Sequence, residues 1–356
     1  MPENLRRKLR FSPWCDLCRP GFVGNPCSLS ELALQSRAAP PSTFAENMQH
    51  SSSVTRAPSE SPPAQGLYRY SLWVAVSTLV LIKLGAMVTS TGSGMAYLDW
   101  PLSNGSLLPP DMIEDPAKFF EHFHRMAGAL VGLLVVALTV WVFRSEDRRW
   151  LKQLTLGVLI LVCAQGIIGG VGVLKGLPVM TSVTHGVLAQ VIFCLLALVA
   201  FALSPTWRER MTAPAQMVRR ARLMAAVALA LVFLQLVAGA ILRHANLPGL
   251  LWVHVSMALL VALAILAAAQ YCGTRLSEVP GFTDTGRLIL MILVVQLILG
   301  YLTFVIRRLK DPSNIEYLGR SFVVTAHVAV GALMFLSSAL LLYRVLRNVE
   351  PGGESV

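Results

Sequence analysis

Eight long apolar runs constrain this chain more than any other feature of its sequence. A helix needs about 20 apolar residues to cross a hydrocarbon core about 30 Å thick. Runs of that length occupy residues 70–90, 122–143, 153–174, 183–203, 222–242, 250–270, 286–306 and 321–343. None of them alternates as the strands of a membrane barrel do. Because lipid cannot satisfy open backbone groups, the sequence predicts an all-α polytopic membrane protein with eight transmembrane helices.

The composition excludes the other classes of protein that a chain of 356 residues could belong to. Hydrophobic residues make up 55% and charged residues only 14%, whereas soluble domains carry about 25% charged residues. Six cysteines are too sparse for a secreted disulfide scaffold. Of the classes considered, only a membrane protein is consistent with this composition.

The net charge of +11 reflects the direction of the spans. Of the 30 Lys and Arg residues, 21 fall on the side of the N-terminus and seven on the opposite side. Cytoplasmic loops carry this excess, so both termini are predicted to be cytoplasmic. With the charge explained in this way, no nucleic-acid partner is expected.

Residues 1–66 differ from the rest because they are rich in Ser and Pro and lack periodicity. This composition predicts a disordered cytoplasmic tail. Cys15 and Cys18 form half of a possible zinc site, with Cys27 nearby, but no second pair of cysteines follows. No metal site is therefore expected there.

A repeated pattern runs through the spans. Three odd-numbered spans carry a glutamine four residues before a glycine, as Gln165–Gly169, Gln235–Gly239 and Gln296–Gly300, and the first span keeps only Gly85. Each even-numbered span then opens with a histidine, namely His124, His185, His254 and His327. Four such units predict two pseudo-symmetric four-helix bundles in residues 67–210 and 211–356, related as a parallel repeat.

The four histidines are predicted to share one depth in the membrane. An isolated one could be a hydrogen-bonded packing residue, but ionisable groups inside a membrane are costly and usually functional. Carboxylates and cysteines, which zinc or di-iron sites need, are scarce: Glu121 is the one acid at this depth, and Cys163 and Cys194 lie deeper. Two histidines on facing helices of each half therefore predict a bis-histidine haem in each.

Other residues near the histidines allow two interpretations. Gly128 and Gly331 each lie four residues after a histidine and either let a porphyrin approach the helix or form a small-residue helix contact. The arginines of the same membrane side either pair with haem propionates or extend to the interface. They are Arg243, Arg307, Arg308 and Arg320.

The segments that precede the first histidine differ between the two halves. A long loop at about residues 91–118 leads into Glu121, which shares a helix face with His124. A carboxylate there can accept a proton or steer a reacting group, or it can merely complement a helix N-terminus. The second half has no such acid, which predicts one site for chemistry and one for electron transfer.

Three stretches resemble the haem A synthase family of cytochrome oxidase assembly. They are the run GAMVTSTGSG from Gly85, the run DWPLSNG from Asp99, and Glu-x-x-His-Arg at Glu121, His124 and Arg125. With the other three histidines, the resemblance covers about residues 70–343. It implies haem b on His254 and His327, and haem O as substrate between His124 and His185.

The resemblance also implies an activity and a setting. The enzyme would oxidise a methyl group of haem O to a formyl group by successive hydroxylations. Glu121 would handle protons and Arg125 would position Glu121 or a propionate, so that Glu121, His124 and Arg125 are the expected catalytic residues. The implied setting is a bacterial plasma membrane rather than a mitochondrial inner membrane. Haem O synthase, oxidase assembly factors, an unidentified electron donor and membrane lipid are the implied partners.

Two features depart from this expectation. Some family members carry a cysteine directly after Trp-Pro-Leu, where this chain has Ser103, and Lys83 midway along the first span requires a partner or a polar cavity. The alternative functions are a bis-histidine haem b electron-transfer protein, or a haem chaperone or transporter. The electron-transfer protein does not account for Glu121 and the long loop, and a haem chaperone or transporter would need no strongly reducing donor and would release haem unchanged.

Overall fold

The computed structural model describes residues 55–56, 65–245, 247, 249–308 and 314–352. Within these residues, eight helices are long and apolar enough to cross a membrane. They are α1 (Gln65–Ser90), α2 (Pro116–Ser145), α3 (Arg149–Leu174), α4 (Val179–Ala202), α5 (Ala215–His244), α6 (Leu250–Arg275), α7 (Phe282–Arg308) and α8 (Asn314–Asn348). The prediction of an all-α membrane protein with eight spans is confirmed.

Several helices begin earlier than the apolar runs predict, and the start of α2 matters most for the site. Asp115 caps this helix, with its Oδ1 accepting a hydrogen bond of 2.8 Å from the Ala117 N–H. Pro116 follows at the first helical position, where its missing N–H costs nothing. Glu121 therefore lies in the second turn of α2 rather than at its N-terminus, which disfavours a role as a dipole-complementing acid.

The helices of each half pack in chain order. α1 contacts α2 and α4, and α3 lies between α2 and α4; α5 contacts α6 and α8, and α7 lies between α6 and α8. The two groups meet where α1 and α4 contact α8 and where α4 contacts α5. The division at residues 210 and 211 and the pseudo-symmetry of the halves stay predictions.

Apolar side chains fill the interior of each group of four helices. One buried cluster consists of residues from Met211 to Val349 together with Cys194 of α4, and the other consists of residues from Leu67 to Trp207 together with Ala332 of α8. Many other leucines, such as Leu133 and Leu259, are more than 60% exposed. Such exposure is expected of helices that face lipid.

A small sheet lies at the membrane side where α1 begins. β1 (Thr55–Arg56) pairs antiparallel with β2 (Glu209–Pro214), and β2 pairs parallel with β3 (Val349–Gly352). Sequence analysis did not anticipate these strands. Apart from Thr55–Arg56 and the start of α1, the tail predicted for residues 1–66, including Cys15, Cys18 and Cys27, lies outside the described residues.

Beside the sheet, an aromatic cluster joins segments that are distant in the sequence. The buried Trp207 stacks on Trp150 and on Tyr343, with ring centroids 5.2 and 5.5 Å away. The Arg347 guanidinium lies 4.5 Å from the centroid of the Trp207 ring, within the range of a cation–π interaction. The link between α4 and α5 is thereby held against α3 and α8.

Candidate functional site

Each of the four histidines rests on a glycine of the preceding helix. A Cβ atom would clash with the Cε1 atom of the facing imidazole at Gly85 and Gly169 and would make an unusually tight contact with it at Gly239 and Gly300. The distances are 2.8 Å for Gly85 and His124, 2.9 Å for Gly169 and His185, 3.0 Å for Gly239 and His254, and 3.1 Å for Gly300 and His327. The glycines of the repeat therefore provide the space that the imidazole rings occupy.

The glutamines of the repeat contact the same histidines. Gln165 and Gln235 donate hydrogen bonds of 2.9 Å to the backbone carbonyls of His185 and His254. Gln296 lies with its Nε2 atom 3.5 Å from the Nε2 atom of His327. The repeat is thus a structural unit in which a glutamine and a glycine of one helix hold a histidine of the next.

The histidines meet in two pairs, one in each half. The ring centroids of His124 and His185 lie 6.5 Å apart at an interplanar angle of 78°, and those of His254 and His327 lie 6.5 Å apart at 80°. Two metal–nitrogen bonds of about 2 Å, with the further distance to each ring centre, place such centroids about 6 Å apart. Each pair therefore has the spacing needed to ligate one iron from two sides.

The donor set of each pair suits a haem better than a bare ion. A pair supplies two nitrogens, and no group of three or more metal-ligating side chains gathers among the described residues. Each of the four rings also has a buried Nδ1 atom without a hydrogen-bond partner in the described part of the chain. A porphyrin provides the four in-plane ligands that a histidine pair lacks.

The glycines one turn beyond two of the histidines differ in their surroundings. A Cβ atom at Gly128 would meet no atom within 4 Å, whereas one at Gly331 would lie 3.3 Å from Nε2 of Gln296. Gly128 thus leaves open space one turn beyond His124. At Gly331 the contact with α7 favours the helix-packing interpretation.

Glu121 is buried and both of its carboxylate oxygens are hydrogen-bonded. Oε1 accepts a bond of 2.6 Å from Arg125, and Oε2 accepts one of 3.0 Å from the Tyr97 N–H. Arg125 also donates to the carbonyls of Tyr97, Asp99 and Leu102. The Glu121–Arg125 ion pair therefore fixes the α1–α2 loop, residues 91–115, onto the second turn of α2.

Sequence analysis missed the internal contacts of this loop. The Asp99 carboxylate accepts bonds of 2.9 and 2.8 Å from the N–H groups of Asn104 and Gly105. The bond from Gly105 is the main reason that the pKa of Asp99 lies below its ordinary value. The run Asp-x4-Asn-Gly was the available signal, since Asn and Gly favour the left-handed conformation that both residues adopt here.

Ser103 occupies a buried position in the same loop. Its Oγ atom lies 3.0 Å from Nδ1 of His122, and both side chains are at least 95% buried. A hydroxyl group at this position therefore joins the loop to α2. The sequence pattern gave no indication of this role for His122, which lies outside the repeat of Gln, Gly and His.

Two cationic side chains of the spans reach residues of the other half. The exposed Lys83 side chain has its ammonium 5.9 Å from the centroid of the exposed Phe322 ring on α8, at the outer limit of a cation–π interaction. Arg243 of α5 donates bonds of 2.6 Å to the Ala86 carbonyl and 2.7 Å to Ser90 Oγ on α1. The side chains of Arg307 and Arg308 lie outside the described part, and the propionate role of the arginines stays a prediction.

Arg243 connects the two helix turns whose glycines pack against His254 and His124. It lies one helical turn after Gly239, which faces His254, while Ala86 follows Gly85, which faces His124. One guanidinium thus ties the α5 turn that supports the C-terminal pair to the α1 turn that supports the N-terminal pair.

The sequence of this chain is similar to that of a known protein family. The family model of the cytochrome oxidase assembly protein COX15-CtaA matches residues 68–248, just over half of the chain. The chain belongs to this family.

Proteins named heme A synthase are among the relatives. The one from Chelativorans sp. is 30% identical over 140 residues, which cover 37% of this chain and 39% of the relative. The one from Brucella ovis is 29% identical over 144 residues, 38% of this chain and 40% of the relative. The chain thus spans about two fifths of the length of these relatives, and the resemblance inferred from Glu121, His124 and Arg125 is confirmed at the level of the COX15-CtaA family.

Replacing a glycine that supports an imidazole tests the structural unit. Gly239→Ala should weaken haem binding to the His254–His327 pair by about tenfold or more, because overpacking costs about 1–3 kcal/mol. The measurement is a titration of the purified protein with haem, followed by low-spin absorption. Gly157→Ala is the matched control, since a Cβ there meets no atom within 4 Å. Equal affinities of the two variants would contradict the prediction.

Removing the Arg243 contact tests the connection between the halves. Arg243→Gln should lower the free energy of unfolding by about 2 kcal/mol, because hydrogen bonds from charged groups contribute about that amount. Thermal unfolding in detergent measures the effect. Arg287→Gln, at a side chain 73% exposed, is the control, and a loss of equal size in both variants would refute the assignment.

Proposed function

We propose that this membrane protein is a haem A synthase, which oxidises one methyl group of haem O to a formyl group. Each hydroxylation converts a C–H bond of the methyl carbon to C–OH, with dioxygen as the oxidant: one oxygen atom enters the product, and the other leaves as water with two protons and two electrons from a donor. The second hydroxylation gives a geminal diol that loses water to leave the formyl group. Family membership and the names of the relatives support this proposal.

The main support for the proposal is that the two histidine pairs have the same spacing but different surroundings. Both pairs have rings 6.5 Å apart, but only His124 lies on a helix turn that also holds a buried Glu121–Arg125 ion pair. In this proposal His124 and His185 hold and orient haem O. His254 and His327 hold haem b, which supplies electron relay when bound.

Glu121 and Arg125 have a structural role and a chemical role in this proposal. They keep the α1–α2 loop closed over the end of the N-terminal bundle, and they place a carboxylate one turn before His124. Because Arg125 and the Tyr97 N–H occupy both oxygens, proton uptake by Glu121 displaces one of these bonds. Proton handling at Glu121 is therefore coupled to the closure of the loop.

The setting follows from the same proposal. Eight spans place the protein in a membrane, and the named relatives are bacterial, which supports a bacterial plasma membrane. The excess of Lys and Arg on the side of the N-terminus supports cytoplasmic termini. A haem O synthase would supply the substrate, and cytochrome oxidase assembly would consume the product. An electron donor is also required.

Co-expression with a haem O synthase tests the proposed activity. Extracts of cells with this protein should contain haem A and a hydroxymethyl intermediate, both resolved by chromatography, while cells without it should contain haem b and haem O but neither of these products. Bound haem with no change in the extracted haems would instead indicate the electron-transfer protein or the haem carrier.

Two substitutions at Glu121 separate catalysis from loop anchoring. Glu121→Gln keeps an oxygen for the Tyr97 N–H but cannot carry the charge, whereas Glu121→Ala loses both. If Glu121 handles protons, both variants should lower haem A output by about 100-fold or more while retaining bound haem b.

The exposed Glu114 in the same loop provides the control, Glu114→Gln, which should leave haem A output unchanged. Full output from Glu121→Gln together with loss in Glu121→Ala would show that Glu121 only anchors the loop. Full output from both variants would remove Glu121 from the mechanism.

A further inference from the structure

A cavity outside the histidine sites opens where α5 begins and α6 ends. Its volume is about 250 Å³, and it is lined by Pro214, Gln216, Met217, Arg220, Tyr271 and Arg275. Gln216 and Arg220 are one turn apart on α5, and Tyr271 and Arg275 are one turn apart on α6. Because both helices are membrane spans, the cavity lies at the level where lipid headgroups meet water.

Positive charge dominates this cavity. Two arginines from different helices line it, and no acidic residue does. None of the ion pairs among the described residues involves Arg220 or Arg275. The guanidinium group binds phosphate with paired hydrogen bonds, so the charge and the donor geometry of the cavity match a phosphate group.

The start of α5 adds to the positive potential. The helix begins at Ala215 without a side-chain cap and without an acid in its first turn. Gln216 and Met217 of this turn line the cavity, where the helix dipole favours an anion. Tyr271 contributes a hydroxyl donor and, with Met217, an apolar surface of the kind that a glycerol backbone can contact.

We propose that this cavity binds the phosphate group of an anionic phospholipid, with Arg220 and Arg275 as its ligands. Basic pockets between transmembrane helices bind lipid headgroups of this kind. The proposal is independent of the haem chemistry, because none of its residues belongs to the histidine pairs. Free inorganic phosphate offers the same chemistry, and the experiment separates the two sources.

The test uses the full-length protein in phosphatidylcholine nanodiscs. Adding phosphatidylglycerol to the lipid should raise the thermal unfolding midpoint of the wild type, because a ligand that binds only the folded state stabilises it. Native mass spectrometry should show phosphatidylglycerol retained. In the double variant Arg220→Gln/Arg275→Gln, retention should fall by about tenfold or more and the shift of the midpoint should disappear.

Arg219→Gln is the matched control, because Arg219 is exposed beside Arg220 but does not line the cavity. It should behave as the wild type does. If inorganic phosphate in pure phosphatidylcholine gives the shift and phosphatidylglycerol does not, the site binds phosphate but not a lipid, which overturns the lipid assignment. Equal retention in the double variant and the control, or no shift in the wild type with either probe, overturns the whole proposal.

Discussion

The contact between an imidazole ring and the bare backbone of a glycine recurs four times in this protein, and the site geometry depends on it. A ring can reach the facing helix only where no Cβ intervenes, as the 2.8 Å distance from a Cβ at Gly85 to His124 illustrates. The contact fixes the depth of each histidine and the spacing of odd and even helices. Two pairs of rings 6.5 Å apart follow from it, and this is the spacing that the proposed haem ligation in each half needs.

The α1–α2 loop makes the two halves unequal. A buried ion pair between Glu121 and Arg125 holds this loop through backbone carbonyls, and Ser103 adds a contact with the buried His122. Leaving one partner of such a pair alone in an apolar environment is costly, so the loop and the second turn of α2 are stable only together. The same carboxylate is one turn from His124, which couples the closure of the loop to the proposed chemistry at the N-terminal pair.

Different interactions join the halves at the two membrane sides. Near the histidines, the Arg243 guanidinium bridges α5 and α1. At the other side, the aromatic cluster around Trp207 and the three-stranded sheet link α4 to the end of α8. The separation of the two histidine pairs is therefore fixed at both ends of the bundle, as proposed electron transfer between two haems requires.

Length and hydropathy alone determined the eight spans, because a bilayer leaves a chain no other way to satisfy the backbone of a long apolar run. The spacing of Gln, Gly and His along the chain likewise predicted the four histidines as site residues, and Glu121 was predicted from its position three residues before His124. Only the tertiary structure showed that each imidazole ring packs against a glycine of the preceding helix. It also showed that Glu121 accepts hydrogen bonds from Arg125 and from the Tyr97 N–H. These contacts join residues on different helices or in a loop without periodicity, and a one-dimensional pattern does not specify which side chains meet across a bundle.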